Sequence, residues 1–286
     1  MFIKSLRQQW QQHRAEHFIR TSRYEDKLRD LPTGLFLYWQ KAAPAEFPGI
    51  PQDAFFFAQA SEGLIRFFDC VAQSPLACAL PSKAADSVWH AWNHYSSISL
   101  DQYCYKHFGR TIPHLDETEM GGGIDHALAA CLVAARKQDR ISDLSTAVPT
   151  LFRLDAQLHM PNGYAYRHHS GKLGFRNISA YGTPEGSMIF PESFQPNALF
   201  ALGLLNEHNY NILRQRALAR GKHTSSDTGF FLGPTSGGTS TDAIHCGGAH
   251  SGHTTDCSSS HGGTSCGSSC GSSGGSSCGS SCGSSS

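Results

Sequence analysis

The chain changes physical character near Lys222, and this break confines any folded core to what precedes it. From there onward the composition is mostly glycine, serine, threonine, cysteine and histidine. Such a segment has little apolar area to set against the entropy of ordering its backbone. The sequence therefore predicts one mostly α-helical domain over residues 1–221 with one short β-hairpin, followed by a disordered C-terminal tail, 222–286. The chain of 286 residues has a formal net charge of zero, which argues against duplex nucleic acid or an anionic membrane surface as partner. No run approaches 18 apolar residues, so no transmembrane segment is expected. The N-terminal stretch lacks the apolar region of a secretory signal, and the expected compartment is the cytoplasm, where thiols stay reduced.

Within the domain, hydrophobic periodicity places the elements. Residues 1–30 read as a helical lead-in carrying Phe2, Leu6 and Trp10. The four prolines between Leu31 and Pro51 are expected to break regular structure around Leu35 to Trp39. Asp53 caps a helix whose Phe55, Phe56, Phe57, Leu64, Ile65, Phe67, Phe68 and Val71 cover much of its circumference. Each large side chain fully buried contributes about 1.5–3 kcal/mol before entropy is charged, so this is the expected central helix. Gly121, Gly122 and Gly123 form a joint without the lysine of a phosphate-binding loop. Ile124, Ala127, Leu128, Cys131, Leu132 and Ala135 stripe the next helix, and Pro149 opens another. Alternation on both sides of Ser170-Gly171 predicts the hairpin, over 164–179. Gly182 to Pro196 reads as loop, and a last helix as 197–219, ending at Gly221.

The chemistry is concentrated between Asp86 and Asp116. Ser82 caps a helix with Val88, Trp89 and Trp92 on its apolar face. Asp86, His90 and His94 follow at i, i+4 spacing along one side. Ser99 and Gln102 have the capping-box pattern for a second helix, with Leu100, Tyr103, Cys104 and Phe108 as its stripe and Gly109 as its stop. His107 is expected at solvent. A loop then carries Arg110, His114 and Asp116. Residues 82–116 thus read as a helical hairpin with His90, His94 and His114 near its mouth.

Trp89-His90, Cys104, Phe108-Gly109-Arg110 and the closing His114 resemble the motif of the glycine-rich domain-containing protein-like family. The resemblance covers only about residues 86–116. Trp92 stands where plant members of that family carry a second histidine, and the next one here is His94. The family has no settled enzymatic activity, so the resemblance implies a domain identity and not a reaction.

An i, i+4 histidine pair on one helix face with a third imidazole from a loop suits zinc or another divalent transition metal, with Asp86 orienting His90 from behind. The same residues also fit a packed structural motif, with a His90 ring nitrogen bonded to backbone. The glutamate found between the histidines of the helical zinc-protease motif is absent. Cys104 lies on an apolar stripe, as an inert buried thiol would. Of the ten cysteines, six lie in the tail: Cys246, Cys257, Cys266, Cys270, Cys278 and Cys282. With His245, His250, His253 and His261 they form a second set of soft metal or redox candidates, although no pair of zinc knuckles is present. The repeated Cys-Gly-Ser-Ser-Cys units resemble in composition the tails of many uncharacterised bacterial proteins. Asp116, Glu117 and Glu119 read as a solvated acidic loop. No nucleophile elbow and no dinucleotide fingerprint occur. The sequence favours a non-enzymatic binding or scaffold module with an unknown protein partner, and leaves metal binding open as one of its roles. The alternative is a metal-dependent enzyme built on His90, His94 and His114.

Overall fold

The computed structural model describes residues 2–114, 123–141 and 147–223, with 2–5 and 216–223 as backbone only. Of the expected tail, 222–286, the first two residues continue the last helix past Gly221, and the rest, with all its cysteines, lies outside the described residues. So do Asp116, Glu117, Glu119 and Gly121-Gly122.

The elements run α1 (Phe2–Thr21), α2 (Glu25–Arg29), α3 (Leu35–Glu46), α4 (Ala54–Gln73), α5 (Lys83–Phe108), α6 (Gly123–Gln138), α7 (Thr150–Leu158), β1 (Tyr164–His169), β2 (Lys172–Ile178), β3 (Pro184–Ile189), α8 (Pro196–Ala201) and α9 (Glu207–His223). The domain is mostly α, as the periodicity predicts. Asp53 caps α4 through the N–H groups of Phe55 and Phe56. The core gathers Trp39 of α3, Phe56, Phe67 and Phe68 of α4, Trp89 and Trp92 of α5, Leu132 of α6, and Phe152 of α7. Trp39 also donates its indole N–H to Ser87 at 3.0 Å, which fixes α3 against α5.

Four expectations are corrected. Residues 35–46 form a helix despite Pro44 inside it. Burial of Leu35, Trp39 and Ala43 outweighs the one lost hydrogen bond, close to the helix end. The second half of α5 is capped by Ser96 and not Ser99: Ser96 leaves helical geometry (φ −170°, ψ 100°) and its hydroxyl accepts from the Ser99 N–H at 3.1 Å. The hairpin gains a third strand, because residues 184–189 pair antiparallel with β2 where a loop is expected. The last helix is two, α8 and α9, separated where Gly203 adopts φ +69°. The β1–β2 turn itself is as expected, with Ser170 and Gly171 both at positive φ, the backbone of a tight primed hairpin turn.

One buried carboxylate joins three elements. Asp155 of α7 accepts from Ser82 Oγ at 2.6 Å, Lys83 N at 3.0 Å and Ala84 N at 3.0 Å, all at the start of α5. It also accepts from Tyr164 N at 3.1 Å, at the start of β1. Burial pushes its carboxyl above the usual carboxylate range, while these donors pull against that shift. Gly163 must be glycine here, since a Cβ would lie 2.6 Å from Asp155 Oδ2. Asp155→Ala leaves the buried Ser82 hydroxyl and Ala84 N–H, and the part-buried Lys83 and Tyr164 N–H groups, without this acceptor and is expected to cost at least about 3 kcal/mol. Asp53→Ala removes a half-buried cap and is expected to cost about 1 kcal/mol. Urea midpoints of the two variants check the ranking; equal losses contradict the role given to Asp155.

Candidate metal centre

The first half of α5 presents Asp86 and His90 one helical turn apart, on the side away from its buried Val88 and Trp92. The chain then has to bring His114 back to them, and each step has a visible cause. Gly109 ends the helix in left-handed geometry at φ +74°. Arg110 donates through Nη2 to the Val71 carbonyl near the end of α4. Ile112 is buried, and its backbone hydrogen-bonds the Cys104 thiol. His114 then packs against Trp89 with its ring tilted, centroids 4.5 Å apart.

Asp86, His90 and His114 consequently offer three ligand atoms that all lie within 4.8 Å of one another. Asp86 Oδ1 is 3.6 Å from His90 Nε2 and 3.5 Å from His114 Nε2. Zinc–ligand bonds of about 2.0–2.1 Å in tetrahedral arrangement put neighbouring ligand atoms about 3.3–3.4 Å apart. Asp86 Oδ1 is therefore near coordinating spacing from each imidazole nitrogen, and the two imidazoles, whose ligand atoms lie within 4.8 Å of each other, have to close on a shared ion by a side-chain movement. Asp86, expected behind His90, instead stands beside it in the candidate ligand set.

The residue that lies behind His90 is Glu46, at the end of α3. Its Oε2 is 2.7 Å from His90 Nδ1. A carboxylate on Nδ1 directs the other ring nitrogen, Nε2, to act as the acceptor or metal ligand. Phe47 packs edge-on against the same ring at 5.8 Å. Sequence reasoning missed Glu46 because it is far from the motif in the chain and sits in a proline-rich stretch read as irregular. The bond also replaces the backbone partner expected of a purely structural His90.

His94 does not join the three. Its side chain is 64% exposed and its Nε2 is 3.9 Å from Glu46 Oε1. The helix explains this: Asp86 and His94 are eight residues apart, so the far end of the row is two turns from the returning loop. His107 is not at solvent; its Nε2 is 2.7 Å from Asp30 Oδ2 and its ring packs 4.5 Å from Tyr103. The Lys106 ammonium, with His107 second, holds the Asp30 carboxyl below its usual range. Burial pushes the Cys104 thiol up to about 12, so it is no nucleophile near neutral pH.

Asp86, Trp89 and His114 also line a cleft of about 560 Å³ between the end of α4, α5 and the 110–114 segment. Phe67, Val71, Leu76 and Ile112 supply apolar wall, and Arg110 lies along the same wall.

A family model described as UCP032817-like matches residues 53–182, a span running from the cap of α4 past the end of β2. Asp86, His90 and His114 fall within it, and Glu46 outside. No curated protein and no solved structure matches the chain. No helix among the described residues is long and apolar enough to cross a membrane.

Trp89 is 5% exposed and packs against Phe67 and Phe68, each ring centroid 5.3 Å away. Trp89→Ala is expected to cost about 3–5 kcal/mol. His94→Ala, at an exposed position, is expected to cost less than about 0.5 kcal/mol. Denaturant midpoints separate the two, and equal losses contradict this assignment of helix faces.

Proposed function

We propose that this chain is a helical metal-binding module whose site takes zinc or a similar divalent transition metal on Asp86, His90 and His114. The observation that carries the reading is the pairing of two features: three converging ligand atoms, and Glu46 on the far nitrogen of His90. Metal-bound histidines commonly carry a carboxylate on the ring nitrogen that does not face the metal, and Glu46 stands in that place. The two imidazoles with one carboxylate are borderline donors, suited to zinc and its neighbours more than to calcium or magnesium.

The motif around the site supports placing the chain with the glycine-rich domain-containing protein-like family, since each motif residue builds the return of His114 toward α5. Binding is the primary role in this reading. Three protein ligands leave a fourth position for water or a ligand, and the cleft adjoins it, so the same geometry supports a metal-dependent enzyme as second reading. That enzyme is built on Asp86 in place of His94. The unpaired thiols of Cys70, Cys78, Cys104 and Cys131 support a cytoplasmic setting.

Elemental analysis of the full-length chain tests the site. The His90→Ala, His114→Ala double variant is expected to carry one equivalent of zinc fewer than the parent, because its tail is unchanged. Glu46→Gln is expected to weaken zinc binding by about 10–100-fold, and His94→Ala to leave it unaltered. Affinity falls with acidification, because imidazole binds metal only when neutral. Equal zinc in the parent and the double variant sinks the site.

A further inference from the structure

The cleft beside the three ligand atoms has its own chemistry. Its described lining is largely apolar, with Phe67, Val71, Leu76, Ile112 and Ile124 facing one volume. A space of about 560 Å³ is in the range that holds small organic ligands. Among the polar groups that interrupt this wall, two donors stand out. Arg110 is tied to the Val71 carbonyl through Nη2 and has further guanidinium N–H groups to give. Trp89 lines the cleft, is nearly fully buried, and its indole N–H has no acceptor among the described residues. A buried donor without a partner is costly, and an oxygen carried in by a ligand removes that cost.

Charge selects the ligand further. Asp86 is the only acid among the described lining residues. A divalent ion on Asp86 and the two neutral imidazoles leaves that corner with a net positive charge. Arg110 adds another. Apolar walls with two cationic groups and an unpartnered N–H suit a molecule with a hydrocarbon body and an anionic oxygen head.

We infer that the cleft binds a small amphiphilic carboxylate, its chain against Phe67, Val71, Leu76 and Ile112 and its carboxylate toward Arg110 and Trp89, beside the metal. This rests on the metal reading above for its strength of binding, and on Arg110 for its selectivity. The metal and the carboxylate bind with positive coupling, because each favours the charge of the other.

Calorimetric titration of octanoate and of 1-octanol into the zinc-loaded full-length chain tests it. Octanoate is expected to bind about tenfold or more tightly than octanol, the margin of a charge-assisted hydrogen bond. Arg110→Gln is expected to erase that margin while leaving octanol binding in place, which also reports that the cleft is intact. Ile124→Glu, a change at a partly exposed position, is expected to weaken octanoate specifically. Octanoate and octanol binding alike, neither binding, or a margin untouched by Arg110→Gln overturns the inference. Zinc at the site is measured alongside, as the difference between each sample and its His90→Ala, His114→Ala counterpart, so the tail cancels and the two readings fail separately. Zinc absent with Arg110-dependent octanoate binding ends the metal reading and upholds the cleft. Zinc present without Arg110-dependent binding ends the cleft assignment alone.

Discussion

The four hydrogen bonds that converge on Asp155 set the position of everything chemical in this domain. They bind the first turn of α5 to α7 and to the start of β1 in one contact. A helix N-terminus has N–H groups with no partner inside the helix, and its dipole favours a negative charge nearby. Asp155 meets both demands from outside the helix, in concert with Ser82, whose hydroxyl also accepts from Ala85 N at 3.2 Å. Asp86 follows immediately, and His90 one turn later. The register of the candidate ligands is therefore fixed by a buried carboxylate that lies far from them in sequence.

From that anchor the motif can be explained residue by residue. Trp89 places α5 against the phenylalanines of α4. Phe108 packs on Phe68 at 5.9 Å and so holds the far end of α5 to the same helix. Gly109 reverses the chain, Arg110 ties it to α4, and Cys104 receives Ile112. The outcome is that His114 arrives over Trp89, 4.9 Å ring to ring from His90. Most of the motif is thus a device for closing a turn, and only His90 and His114 of it present ligand atoms. Asp86 completes the set because helical spacing puts it beside His90.

Much of this was legible in the sequence. The helical stripes, the caps at Asp53 and Ser82, the stop at Gly109 and the Ser170-Gly171 turn follow from local rules that tertiary structure did not override. The i, i+4 row likewise located Asp86 and His90. What local rules could not supply was distance through space. His94 satisfied the spacing as well as Asp86 did, and only the path of the 110–114 segment decided between them. Glu46 gave no local signal, since its role comes from packing of α3 on α5. The third strand was hidden because 184–189 is largely exposed, with no alternating apolar face to mark it. Ser96 and Ser99 are both plausible caps by residue type, and the break in α5 chose the earlier one.

The central claim is that Asp86, His90 and His114 act together as one metal site. Zinc-soaked crystals of the full-length chain, with an anomalous difference map recorded at the zinc edge, address it without interference from the cysteines of the tail. The account predicts one peak about 2.0–2.2 Å from Asp86 Oδ1, His90 Nε2 and His114 Nε2, with Glu46 still on His90 Nδ1. A map without density there, or zinc held by His94 with Asp86 turned away, contradicts it.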